Sequence, residues 1–258
     1  MPQRGSAGVR ALCLALMVLL SACAALPAEE ESPPPVEPEV LPEVSPEPPE
    51  EAVPEPLPEP LPELLPELPD EEFACVTDYI PGIVVELRYA TQDNFTGCRI
   101  YDFSGAWLRY GTIQKLSAVQ SALEEEGLGL KIWDAFRPPA AQLRLWEICP
   151  DSRYVADPGR GVSSHSRGNT VDLTLVDGQG NELEMPTGFD DFSPKADRDY
   201  SDVTPQAAEN ARRLEEAMTA GGFRPYFGEW WHYTDTDTYE AGEAFSPPAA
   251  ENGGAAHG

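Results

Sequence analysis

Residues 163–175 read Ser163-Ser164-His165-Ser166-Arg167-Gly168-Asn169-Thr170-Val171-Asp172-Leu173-Thr174-Leu175, and this stretch decides the fold. Gly168 turns the chain, and the run from Val171 to Val176 reads as a strand. Asp172 then lies near a strand start, and His165, seven residues earlier, folds back from a loop toward the same point. The other histidine of the domain stands in Gly228-Glu229-Trp230-Trp231-His232. Two imidazoles and one carboxylate make a three-ligand zinc site whose fourth position is left for water, so His165, Asp172 and His232 are the candidate ligands for one Zn2+ at the sheet. Glu229, three residues before His232, is placed to act as general base beside the metal. Singly these residues are weak signals, since a histidine next to two tryptophans is more often a packed core residue and Asp172 alone could cap a strand. Their combination carries the metal reading.

A third element is Trp133-Asp134-Ala135-Phe136-Arg137-Pro138, where Arg137 follows an expected strand and precedes an expected helix. A guanidinium there can stabilise an oxyanion, or simply pair with Asp134. Outward from these motifs, Ile83 to Tyr89, Leu130 to Trp133 and Tyr226 to Tyr233 also read as strands. Leu116, Val119 and Leu123 recur at helical spacing, and a helix after Pro138 and Pro139 is expected to bury Leu143 and Trp146. The clearest helix has Thr204 as N-cap, Pro205 in its first turn, Ala207, Ala211, Leu214 and Met218 on one face, and Gly221 as its stop. Helices and strands do not alternate as in a wound parallel sheet. The expectation is a single α+β domain with a mainly antiparallel central sheet flanked by helices. The polar stretch from Asp177 to Val203 reads as a long loop, functional or disordered.

Charge divides the chain. Of 258 residues carrying a formal net charge of −28, residues 24–72 hold 16 of the 45 acidic groups and 16 of the 28 prolines. Residues 73–258 keep 29 acidic against 15 basic side chains, a net of −14. No basic face is available for nucleic acid, which is excluded as a partner. Residues 1–22 have the layout of a secretory signal, with Arg4 and Arg10 before an apolar run, and Leu20-Ser21-Ala22-Cys23 resembles a bacterial lipobox, with Cys23 as the lipidated residue. A plain signal peptide with an incidental cysteine is the alternative. Residues 23–72 are then a lipid-anchored, extended Pro/Glu-rich tether reaching roughly 150 Å at about 3.1 Å per residue, residues 73–246 the domain, and 247–258 a disordered tail that includes His257. The expected location is extracytoplasmic, on a membrane. In an oxidising compartment, Cys75 and Cys98 are the preferred disulfide, with Cys149 left over; three unpaired buried thiols are the alternative.

Four segments together resemble a known family: Ser-Ser-His-Ser-Arg-Gly-x-x-x-Asp-Leu-Thr-Leu at 163–175, Glu-Trp-Trp-His-Tyr at 229–233, Asp-x-x-Arg-Pro at 134–138, and Leu-Arg-Tyr-Ala-Thr-x-Asp-Asn-Phe-Thr-Gly at 87–97. They are similar to the zinc D-alanyl-D-alanine dipeptidases of the VanX type, within a wider group that includes D-Ala-D-Ala carboxypeptidases and the hedgehog signalling domain. The resemblance implies zinc on His165, Asp172 and His232, base and proton shuttle at Glu229, and transition-state stabilisation by Arg137. It also implies that Ser163, Tyr89 and an acid of Phe189-Asp190-Asp191-Phe192, taken as Asp190, hold the substrate. The implied substrate is D-Ala-D-Ala or a related cell-wall peptide. An exported, tethered enzyme does not reach a cytoplasmic dipeptide pool, so turnover or salvage outside the membrane is the expected setting. Trimming of peptidoglycan stem peptides by a D,D- or L,D-carboxypeptidase and a non-catalytic zinc-stabilised binding module are the alternatives.

Overall fold

A computed structural model describes residues 65–250. The expected signal, Cys23, most of the tether and the last eight residues of the tail, His257 among them, lie outside the described residues. The elements run β1 (Phe73–Cys75), α1 (Val76–Tyr79), β2 (Val84–Val85), β3 (Trp107–Arg109), α2 (Tyr110–Glu124), β4 (Leu128–Asp134), α3 (Pro139–Ile148), β5 (Thr170–Asp177), α4 (Pro205–Ala220), β6 (Phe223–Tyr226) and β7 (Glu229–Asp235), with short 3₁₀ turns between some of them. β1 and β3 pair as a small antiparallel ribbon. The other strands form a five-stranded sheet in the order β2-β4-β5-β7-β6, parallel between β2 and β4 and antiparallel elsewhere.

β5 is the sheet's centre and is buried on both faces, although its sequence alternates apolar and polar residues from Thr170 to Leu175. Val171, Leu173 and Leu175 are fully buried on one side, and Thr170, Asp172 and Thr174 alternate with them on the other. α2 and α4 pack on the sheet and on each other. Thr204 caps α4 by accepting from the Ala207 amide at 3.1 Å, and Leu214 and Met218 are fully buried. Gly221 ends α4 where a Cβ would come within 2.2 Å of Val119 Cγ2, so it is both helix stop and close-packing point against α2.

Residues before Phe73 already engage this domain. Leu68 packs on the core, and the Tyr110 amide donates to Glu72 O at 2.8 Å.

Three expected elements differ. The strand over Ile83–Tyr89 is only two residues long, because the chain turns into a 3₁₀ turn at Arg88–Ala90 that sends Tyr89 inward, 2% exposed. In α3 the inward face is Ala141, Gln142 and Leu145, while Leu143 is exposed and Trp146 half-buried. The helix is phased so that Gln142 reaches Arg137, which turns Leu143 outward. The strand expected over Tyr226–Tyr233 is two strands, β6 and β7, with Phe227 and Gly228 between them.

The Cys75–Cys98 disulfide is not formed, and Cys75, Cys98 and Cys149 are free thiols. Cys75 Sγ is 3.3 Å from Thr77 Oγ1 and lies against Gly105, whereas Cys98 sits on an exposed loop organised by Asn94, whose amide donates to Cys98 O at 2.9 Å. Each cysteine is held by its own local hydrogen bonding.

Candidate metal centre and pocket

His165, Asp172 and His232 each offer a ligand atom, and these atoms lie within 4.8 Å of one another. Sheet register brings two of them together, since Asp172 on β5 is directly opposite His232 on β7. Asp172 Oδ1 is 3.0 Å from His232 Nδ1, and Oδ2 is 3.3 Å from His165 Nε2. His165 comes from a 3₁₀ turn over Ser164–Arg167 that Gly168 closes at φ 76°. No other residue suits position 168, where a Cβ would also meet Phe73 Cε1 at 2.3 Å.

The His165 ring is oriented by Ala135 O, 2.9 Å from Nδ1. A carbonyl can only accept, so Nδ1 carries a proton and Nε2 is the ring atom that faces Asp172. Burial opposes charge on both groups, yet their mutual attraction prevails: Asp172 is held below the ordinary carboxylate range and His165 above the ordinary imidazole value.

Glu229 Oε2 lies 3.7 Å from His232 Nδ1. Burial raises the Glu229 carboxyl, with His232 opposing the shift and Asp172 adding to it. Arg137 is 8% exposed and tightly held: Nη2 donates to Asp134 Oδ2 at 2.6 Å, Nε to the same oxygen at 3.1 Å, and Nη1 to Gln142 Oε1 at 3.0 Å. The ion pair with Asp134 therefore exists, and Arg137 lines the pocket as well. Asp134 is fully buried beyond a bulge in β4, and its Oδ1 accepts from Tyr101 at 2.7 Å and from the Ala135 amide at 2.9 Å. The 134–137 and 163–168 motifs also bind each other, through Arg137 N to His165 O at 3.3 Å and Ser166 Oγ to Arg137 O at 2.8 Å.

Tyr89 donates to Asp190 Oδ2 at 2.7 Å. Asp190 adopts the left-handed region at φ 55°, an uncommon conformation for a residue with a side chain. Burial pushes its carboxyl well above the ordinary range; the Tyr89 hydrogen bond and Arg137 oppose this, and Asp172 and Glu229 add to it. The long loop expected over 177–203 thus delivers Asp190 to the site.

All eight residues singled out for metal, catalysis or substrate line one cavity of about 130 Å³: Tyr89, Arg137, Ser163, His165, Asp172, Asp190, Glu229 and His232. Besides Ser164, which lies within the 163–168 motif, the remaining wall is one that sequence reasoning missed, formed by Leu145 and by Tyr154, Val155 and Ala156 of the loop after α3. That loop has no periodicity or motif to signal a role. A larger, open groove of about 690 Å³ shares no lining residue with the cavity.

The D-ala-D-ala dipeptidase family, Peptidase_M15, matches residues 70–246. The D-alanyl-D-alanine dipeptidase of Escherichia coli (strain K12) is 42% identical over 153 residues, covering 59% of this chain and 79% of that protein. Those of Streptomyces coelicolor and Enterococcus faecium are 37% and 30% identical, covering 63% and 64% of this chain and 91% and 92% of their own lengths. Among solved structures, VanYB in complex with D-Alanine-D-Alanine aligns over 52% of this chain and 74% of its own at 17% identity and a TM-score of 0.36, a partial likeness only. With a match that spans every residue of the cavity, the chain belongs to the D-ala-D-ala dipeptidase family and is a peptidase.

Proposed function

We propose that this chain hydrolyses D-Ala-D-Ala to two D-alanines, with zinc held by His165 Nε2, the Asp172 carboxylate and His232 Nδ1. The observation that carries this reading is the convergence of that donor set, a neighbouring carboxylate and a buried arginine in one small cavity. The donors fit the group, since two imidazole nitrogens and one carboxylate are the protein ligands of hydrolytic zinc sites. When bound, zinc supplies Lewis acidity toward a water and a carbonyl oxygen.

The chain's own residues supply the remaining chemistry. Glu229 Oε2 takes the proton of the attacking water and returns it to the amide nitrogen as the C–N bond breaks. The carboxyl raised by burial is better matched to that exchange near neutral pH than an exposed glutamate. Arg137, fixed by Asp134 and Gln142, presents its guanidinium to the oxygen that gains negative charge, with no reorganisation needed. Asp190, Tyr89 and Ser163 receive the substrate ammonium. Ammonium binding favours the ionised form of Asp190, so substrate completes the site electrostatically. At about 130 Å³ the cavity is well below the roughly 300–1,000 Å³ typical of drug-sized ligands, which supports a dipeptide over a longer chain.

The address belongs to the same proposal. Arg4, Arg10, the apolar run and Cys23 support export and lipid anchoring, which places hydrolysis outside the cytoplasmic membrane in cell-wall peptide turnover or salvage. Lipid-precursor labelling that is absent from wild type, or that persists in Cys23→Ala, would remove the anchor.

The activity is tested by assaying the zinc-loaded protein on free D-Ala-D-Ala and on a pentapeptide ending in D-Ala-D-Ala. Cleavage of the dipeptide alone supports the proposal. Release of D-Ala from the pentapeptide replaces it with a carboxypeptidase, and silence on both replaces it with a binding module.

A further inference from the structure

Side chains alternate faces along a strand, so residues three apart point to opposite sides. Glu229 and His232 are three apart on β7, yet both line the cavity. The chain makes this possible between them. Partners on β6 step from Pro225↔Tyr233 directly to Tyr226↔Glu229, leaving residues 230–232 without a partner on that strand, and the successive Trp230 and Trp231 are both fully buried. Such an irregularity interrupts the ladder and leaves main-chain groups needing other partners.

Those partners converge on Arg198. Its side chain is 5% exposed, and Nη2 donates to both Glu229 O and His232 O at 3.1 Å. Nε donates to Tyr226 O at 2.8 Å, and the Arg198 amide donates to Phe227 O at 3.0 Å. Nη1 is held by Glu215 Oε2 at 2.9 Å and Tyr233 Oη at 3.1 Å. One residue from the loop before α4 therefore grips the main chain on both sides of the irregularity.

We propose that Arg198 is a positioning residue: by tying the carbonyls of Glu229 and His232 to one guanidinium, it holds the general base and a metal ligand on the same face of β7. It lines no part of the cavity and holds the two residues through their backbone, its charge lying close enough to be felt by the Glu229 carboxyl as well. The role of Glu229 rests on the proposed function, whereas the effect on His232 is read from metal binding alone.

The test compares wild type, Arg198→Met and Arg198→Lys for Zn2+ affinity by competition with a chromophoric chelator, for kcat and KM on D-Ala-D-Ala, and for thermal stability. Arg198→Met is expected to bind Zn2+ roughly 10–100-fold more weakly and, at saturating Zn2+, to lose kcat by a similar factor with KM unchanged. Lysine keeps a charge beside Glu215 but cannot fork to two carbonyls, so Arg198→Lys is expected to regain thermal stability while Zn2+ affinity and kcat stay low. Wild-type Zn2+ affinity and kcat in a folded Arg198→Met overturns the proposal. So does Arg198→Lys if it recovers affinity and kcat in step with thermal stability, which is the behaviour of a merely structural residue. Should Arg198→Met fail to fold, Arg198→Lys decides alone on the same criteria. Wild type that binds Zn2+ but leaves the dipeptide intact removes the proposed activity, and the affinity comparison still tests Arg198.

Discussion

The cavity has a strand-borne half and a loop-borne half. Asp172, Glu229 and His232 stand on β5 and β7, with Arg137 just beyond the end of β4 and tied to Asp134 on it. Tyr89, Tyr154, Ser163 and Asp190 come from turns and irregular segments spread over more than a hundred residues of chain. The first half is located by ladder register and buried hydrogen bonds, so its atoms have little freedom. The second is located by a few side-chain contacts, such as Tyr89 to Asp190 and the stack of Tyr154 on Phe192 with ring centroids 4.6 Å apart. On the proposed function the difference is a division of labour: the groups assigned to bond breaking sit on strands or, for His165, on a turn locked by Gly168 and Ala135 O, and the groups assigned to choosing the substrate sit on segments that can vary without unfolding the sheet.

The predictions test that division. The largest effect is expected on the strand side, where Asp172→Ala, or a chelator added to wild type, abolishes turnover; activity that persists without bound zinc would break the comparison at its base. Next, Glu229→Gln keeps zinc, measured by metal analysis, and lowers kcat by about 10²–10⁴-fold, the range of general acid–base catalysis. Arg137→Lys follows at about 10²–10³-fold in kcat, because a point charge cannot pair with Asp134 and still face the developing oxyanion as the fork does. On the loop side, Asp190→Asn is expected to raise KM by roughly 10–100-fold, corresponding to about 1.5–3 kcal/mol for a hydrogen bond to a charged group, with kcat much less affected. An Asp190→Asn variant whose loss lies in kcat would move Asp190 to the catalytic half. The smallest effect belongs to the thiols: Cys75→Ser and Cys98→Ser should leave thermal stability equal with and without reductant, since no bond joins them. A reductant-sensitive wild type would contradict the free thiols.

Legibility followed the same line. His165 and Asp172 could be read because seven residues containing one glycine hold a loop residue and a strand residue near each other, whatever the rest of the chain does. α4 could be read because Thr204, Pro205 and Gly221 are local signals with local causes. Leu143 was misassigned because the phase of α3 is set by Gln142 reaching Arg137, a contact outside the helix's own periodicity. The Tyr226–Tyr233 segment looked like one strand because its aromatic content suits a strand, whereas the break depends on partners in β5, β6 and Arg198. The Tyr154 wall left no local trace at all.

By itself the sequence determined which residue types are available for the chemistry and how far apart they stand along the chain, since ligand type, charge and short-range spacing are covalent properties of the segments that carry them. Only the tertiary structure decided that Asp172 faces His232 across a ladder, that Glu229 and His232 share a face despite their odd spacing, and that Tyr89 and Asp190, 101 residues apart, meet at 2.7 Å. Those outcomes depend on register, irregular pairing and loop closure. Each is settled by competition among contacts distant in sequence, and no local window contains both sides of such a contact.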